Sequence, residues 1–108
     1  MSNDNSDILE RLYAVIESRQ GADASSSYSA KLFAAGLPEI TRKVGEEAVE
    51  TITAALSGEG DVTAESADLL YHLLVLWAAA GIKPEDVWTE LARREGTSGI
   101  DEKNSRGK

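Results

Sequence analysis

The residues in this sequence with the most capacity for chemistry are carboxylates. Glu46, Glu47 and Glu50 form a Glu-Glu-x-x-Glu run, and at about 100° per residue in a helix all three share an arc of about 100°. They point the same way, beside an apolar stripe of Leu37, Ile40, Val44, Ala48, Ile52 and Ala55. Alone, such a triplet is a weak signal and more often marks a solvated acidic face. A second set, Glu65, Asp68 and His72, is spaced i, i+3, i+7 and forms one stripe with Leu69 and Leu76 beside it. From Leu69 to Ala80 the chain is apolar nearly all round, so that helix must be buried on most sides. A carboxylate turned toward a core is expensive unless it meets a cation or a metal, and few basic residues lie near enough in sequence to pair these. The bland alternative keeps Glu65 as a first-turn decoration and Asp68 as a satisfied helix residue.

Two helices joined by a short turn pack antiparallel. Counting outward from Ser57 to Gly60, Glu47 and Glu50 can therefore oppose Glu65 and Asp68. Two i, i+3 carboxylate pairs then converge as hard oxygen ligands, the chemistry that Mg²⁺ selects, with Mn²⁺ as the substitute. Mg²⁺ held this way mostly serves phosphate esters and anhydrides, so metal-assisted phosphoryl hydrolysis is the expected reaction class. An acidic site needs cations at its edge to hold an anionic substrate. Lys43 lies one turn before Glu47, and Lys31, Arg42, Arg93 and Arg94 are further candidates, each also readable as ordinary surface charge. The single His72 suits a hydrogen-bonded core position better than a general base, and Tyr71, Trp77 and Trp88 read as core or interface.

The elements that must position these groups are helical, since apolar residues recur at three-and-four spacing and nowhere alternate over a strand's length. Five stretches are predicted: Asp7 to Arg19, Tyr28 to Ala35, Pro38 to Leu56, a helix capped by Asp61 and running to Ala80, and Pro84 to about Glu95. Gly21, Gly36 and Gly81 supply stops. Residues 22–27 read as a loop, and the tail from Gly96 to Lys108 reads as loosely held. The expected architecture is a single all-α domain, a compact bundle of about five helices. The all-round apolar helix has more surface than its own chain can cover, so a second copy should pack on it to give a dimeric bundle.

Composition narrows the partners. The 108 residues carry 11 Lys plus Arg against 19 Asp plus Glu, a net charge of −8, which argues against a nucleic-acid binder. There is no cysteine, so disulfides, thiolate metal sites and a cysteine nucleophile are excluded. The longest apolar run, Leu73 to Ala80, is far short of the ~20 residues a membrane helix needs. The start of the chain is polar and acidic, unlike a secretory signal. A small-molecule substrate, no membrane and a cytoplasmic location are the expectations.

Three blocks of the chain carry a resemblance. Ser27-Tyr28-Ser29-Ala30-Lys31-Leu32, then Lys43-Val44-Gly45-Glu46-Glu47-Ala48-Val49-Glu50, then Ala67-Asp68-Leu69-Leu70-Tyr71-His72 closely resemble the phosphoribosyl-ATP pyrophosphatase family. So does the tail, from Arg93-Arg94 through Ser98-Gly99-Ile100-Asp101-Glu102-Lys103 to Ser105-Arg106. That family belongs to the all-α nucleoside-triphosphate pyrophosphohydrolases, whose pattern is Glu-Glu-x-x-Glu followed by Glu-x-x-Asp. The resemblance implies Mg²⁺-dependent hydrolysis of phosphoribosyl-ATP to phosphoribosyl-AMP and pyrophosphate, the second step of histidine biosynthesis, in the stand-alone form. It implies Glu47, Glu50, Glu65 and Asp68 as metal ligands, and Glu46 as the residue that orients the attacking water or holds a second metal. Lys31, Lys43, Arg94, Lys103 and Arg106 are the substrate-binding cations it suggests. A house-cleaning pyrophosphohydrolase acting on aberrant nucleotides would use the same carboxylates. A non-enzymatic helical module would have no reason to set Glu65 and Asp68 against an apolar helix.

Overall fold

A computed structural model describes residues 4–96 and 99–105. Among them are six helices and no strand: α1 Ile8–Glu17, α2 Tyr28–Ala35, α3 Leu37–Ser57, α4 Val62–Ala80, α5 Pro84–Arg94 and α6 Gly99–Ser105. The all-α expectation holds, with one helix more than the five predicted. That helix, α6, lies where the sequence reads as a loose tail. Asp101 near its start suits the helix dipole and Lys103 its last turn, yet Ile100 remains 75% exposed. No helix is long and apolar enough to cross a membrane among these residues.

The fold is organised on the α3–α4 hairpin, the most extensive helix pair in the chain. Its turn closes for local reasons. Gly58 takes the left-handed conformation (φ 72°) that ends α3, and the Asp61 carboxylate accepts the Ala64 amide at 3.0 Å to start α4. Gly60 is the tight point: a Cβ there would sit 2.5 Å from the Ala54 Cβ and 2.7 Å from its Cα. Thr51 then ties the arms together, its hydroxyl donating to the Glu47 carbonyl at 2.8 Å and lying 3.2 Å from that of Glu65.

The other helices brace this pair. Helix α1 lies on α4, and α2 lies on both α3 and α4. Their shared core is Tyr13, Ile16, Leu32, Ile40, Leu74, Val75 and Ala78. Two side chains pin α1 to the end of α4 and the turn beyond it: the Tyr13 hydroxyl donates to the Ile82 carbonyl at 2.9 Å, and the Gln20 amide to the Ala78 carbonyl at 3.2 Å. Helix α5 docks through Trp88, whose indole N–H donates to the Glu10 carboxylate and whose ring meets Trp77 edge-on at 5.9 Å.

The face of α3 that turns inward corrects the predicted stripe. The buried row is Ile40, Glu47 and Ala54, seven residues apart. Leu37, Ile52 and Ala55, expected in the core, are exposed, as are Val49 and Leu56. Ala54 sits in this row where the turn folds back, with the Gly60 backbone closing on it. Helix α4 is correspondingly less covered than its composition predicts, with Leu70 42% exposed within the single chain.

Candidate active site

Glu47 is the hub of the acidic residues. It is 6% exposed, and one of its oxygens belongs to each of two groups whose potential ligand atoms all lie within 4.8 Å of one another: Glu46, Glu47 and Glu50, and Glu47, Glu65 and Asp68. The hairpin therefore does oppose the two motif halves. The predicted quartet does not form one cluster at that spacing, because Glu50 groups with its neighbours on α3. The sequence reading also misplaced the burial. Asp68 is exposed and Glu65 half-buried, so the carboxylate turned toward the core comes from α3.

Burial and the adjoining Glu50 push the Glu47 carboxyl above the ordinary carboxylate range, while Lys43 and His72 act the other way. The Lys43 ammonium lies 3.9 Å from Glu47 and donates to Glu46 Oε1 at 2.6 Å, which raises its own pKa. Lys43 is thus a nearby partner for the buried acid. Glu46 is held below the ordinary range by Lys43 and by Arg42, which donates to its other oxygen at 2.9 Å. Both oxygens of Glu46 are engaged by cations, which keeps it ionised and makes it a weak proton acceptor.

Behind the cluster, His72 is buried and bonded at both ring nitrogens. Nδ1 lies 2.7 Å from the Asp68 carbonyl, which can only accept, so in the neutral ring Nε2 is left to accept from the Tyr28 hydroxyl at 2.8 Å. The core reading of His72 is the one its contacts match. Tyr28, which the sequence reading did not place at the site, stacks on Tyr71 at 6.2 Å and has its phenol pushed up by burial, so it stays a donor. Its position at the first turn of α2, behind the capping Ser27 hydroxyl that accepts the Ala30 amide, is the signal that could have placed it.

The predicted cations divide. Lys31 and Lys43 both line a cavity of about 360 Å³ between α2 and the first turns of α3. Arg94 pairs instead with Glu90 at 2.9 Å on α5, where Arg93 and Arg94 together pull the Glu90 carboxyl down to about 2. Helix α5 packs on α1, away from the hairpin turn. Lys103 is exposed on α6, and Arg106 lies outside the described residues.

Fold and site together define a class first: an all-helical domain whose central hairpin presents carboxylates from both arms at a spacing that a divalent cation can bridge. The comparison with known sequences then fixes the family. The family model for phosphoribosyl-ATP pyrophosphohydrolase matches residues 9–95, and the chain belongs to that family. It is 64% identical to the phosphoribosyl-ATP pyrophosphatase of Paramagnetospirillum magneticum over 96% of each chain. It is 59% identical to that of Azospirillum brasilense, over 92% of this chain and 90% of the relative. With that of Parvibaculum lavamentivorans the identity is 61% over 92% of each.

Proposed function

We propose that this chain hydrolyses phosphoribosyl-ATP to phosphoribosyl-AMP and pyrophosphate, the second step of histidine biosynthesis, in the cytoplasm. The observation that carries the reading is the convergence of Glu47, Glu65 and Asp68 across the hairpin in a chain of this family. The donor set is all carboxylate oxygen, which suits Mg²⁺, or Mn²⁺ in its place, and offers nothing to a thiophilic metal. Glu47, Glu65 and Asp68 would hold the cation, with Glu50 completing its shell or joining Glu46 around a second. Bound there, Mg²⁺ supplies charge neutralisation of the triphosphate oxygens and lowers the pKa of a coordinated water.

The chain's own side chains do the rest. Lys43 sits at the rim of the cluster to meet the triphosphate. Glu46, kept ionised by two cations, orients the attacking water through whichever oxygen a cation releases on substrate binding. Water adds at one phosphorus of the α,β-anhydride and its proton passes to solvent, the bond from that phosphorus to the bridging oxygen breaks, and the electron pair leaves on that oxygen.

The reading includes a second copy of the chain. Val49, Ile52 and Leu56 are 61%, 56% and 83% exposed and follow one another along one side of α3, next to Glu46 and Glu50. An apolar stripe of this kind is the signature of a surface that another chain covers. Sedimentation at micromolar concentration should show a dimer; a species of 11.6 kDa would refute this part.

Pyrophosphate release across a nucleotide panel with Mg²⁺ tests the function. Phosphoribosyl-ATP should be split far faster than ATP or base-modified triphosphates, and chelator should stop it. Equal cleavage of aberrant triphosphates with none of phosphoribosyl-ATP would assign the site to nucleotide house-cleaning.

A further inference from the structure

The cations around the acidic clusters differ in how far they are already engaged. Lys43 is bonded to Glu46 at 2.6 Å and lies 3.9 Å from Glu47. Arg42 is held by two carboxylates, Glu39 at 2.8 Å and Glu46 at 2.9 Å. Lys31 is exposed and forms no ion pair among the described residues.

All three line the cavity between α2 and α3. Lys43 lies at the edge of the acidic clusters. Lys31 also borders the open recess beside residues 24–27. The rest of the cavity lining is Leu32, Ala35, the half-exposed ring of Tyr28 and Glu39, whose carboxylate feels the charge of both lysines. At about 360 Å³ the space is at the small end for a nucleotide site and suits part of one.

Two separate lysines on one cavity, one at the carboxylates and one that also borders a second recess, match the two anionic groups of the substrate proposed above, on which the inference rests. Phosphoribosyl-ATP is anionic at two ends, the triphosphate and the 5-phosphate of the second ribose, with the base between. The triphosphate end belongs with the carboxylates and their cation, where its anhydride is cut. The other phosphate must find positive charge away from that metal. We infer that Lys31 is the specificity-determining contact for the 5-phosphate on the second ribose, and hence distinguishes phosphoribosyl-ATP from ATP itself. Its ammonium feels Glu39 only at a distance and forms no ion pair among the described residues, so a phosphate there displaces none, whereas one placed on Arg42 would compete with Glu39 and Glu46.

The test compares wild type, Lys31→Ala and Lys31→Arg, using phosphoribosyl-ATP as substrate, ATP as competing inhibitor and Mn²⁺ binding as a readout independent of turnover. Loss of a charge-assisted phosphate contact should raise KM for phosphoribosyl-ATP about tenfold or more in Lys31→Ala. The inhibition constant of ATP and the Mn²⁺ affinity should stay within twofold, and Lys31→Arg should recover most of the loss. An equal loss for ATP and phosphoribosyl-ATP would reassign Lys31 to the triphosphate and overturn the inference; so would an unchanged KM. If wild type itself fails to split phosphoribosyl-ATP, the proposed function falls, and the inference with it, whatever Lys31→Ala does.

Discussion

Replacing Glu47 by Gln should have opposite effects on stability with and without metal. The residue is a buried carboxylate within 4.8 Å of acidic oxygens on both arms of the hairpin. Two unit charges at that distance repel by about 3.5 kcal/mol at an effective dielectric near 20, and by about 1 kcal/mol in bulk water. Asp68 and Glu50 are exposed and Glu65 is half-buried, so screening favours the lower figure. Lys43 at 3.9 Å cancels part of the rest. Summed over the neighbouring Glu50, Glu65 and Asp68, a net relief of about 1–2 kcal/mol results, which in a domain of about 100 residues raises Tm by about 5 °C or more. In chelator, Glu47→Gln should therefore melt above wild type. With Mg²⁺ at about a hundred times its Kd, wild type gains about 2.7 kcal/mol from ligation, while the variant has lost an anionic ligand. The order of melting temperatures then inverts, and Mg²⁺-dependent turnover disappears.

The pH dependence follows with a defined sign. Because burial and Glu50 raise the Glu47 pKa in the folded chain, the folded state holds this proton where the unfolded chain, with a carboxylate pKa near ~4.3, has released it. The metal-free wild type consequently loses stability as pH climbs from that ordinary value through the raised one. The advantage of Glu47→Gln should open across the same window and stay level above it. Scanning calorimetry at several pH values, in chelator and in Mg²⁺, reads all of this. A variant that melts at or below wild type in chelator at neutral pH would refute the repulsion reasoning. Retained turnover would remove Glu47 from the metal site.

The remaining predictions concern the frame around that cluster. Tyr28→Phe leaves the buried His72 ring without its bond at Nε2 and should lower stability by about 1 kcal/mol, seen as a drop in Tm of several degrees; an unchanged melt would show that water replaces the hydroxyl at no cost. Gly60→Ala forces a Cβ onto Ala54, so the hairpin turn must open, with a cost of about 1–3 kcal/mol and weaker Mn²⁺ binding. Gly58→Ala meets no atom within 4 Å and should cost only the about 1–2 kcal/mol of its left-handed backbone, with Mn²⁺ affinity kept. Truncation after Glu95 should raise KM for phosphoribosyl-ATP far more than it lowers Tm, since Ile100 and Lys103 on α6 are exposed and the role proposed for the tail's cations is in binding. Unchanged kinetic constants would make the tail dispensable.

The elements and their stops were legible in the sequence because their signals are local. Asp61 caps α4 as expected, Gly36 and Gly81 end helices with positive φ, and the break at residues 57–60 holds Gly58 at positive φ, while α1 ends at Glu17, short of the Gly21 stop. The short turn was enough to bring the two halves of the acidic motif together across the hairpin. Which face of α3 turns inward is a property of two helices, and here the one-helix pattern misled. The most apolar stripe, through Ile52 and Ala55, stayed outside, and Ile40, Glu47 and Ala54 went in. The tail gave a similar lesson, since its glycines hid a run of residues acceptable to a short helix.

These two facts about α3 have one cause. A helix that buried its apolar stripe against α4 would have turned Glu47 toward solvent, where water would solvate it and its pairing with Glu65 and Asp68 would be lost. Turning the row of Ile40, Glu47 and Ala54 inward places a carboxylate where desolvation raises its pKa, so the metal-free cluster carries a repulsion that a cation relieves. The apolar residues displaced from the core then lie on the outside of the same helix, beside Glu46 and Glu50, available to a second copy. On the proposed reading, metal affinity and self-association would be coupled through the rotation of this single helix. A substitution that rotated α3 to bury Ile52 should weaken both together, where an independent interface would lose only one.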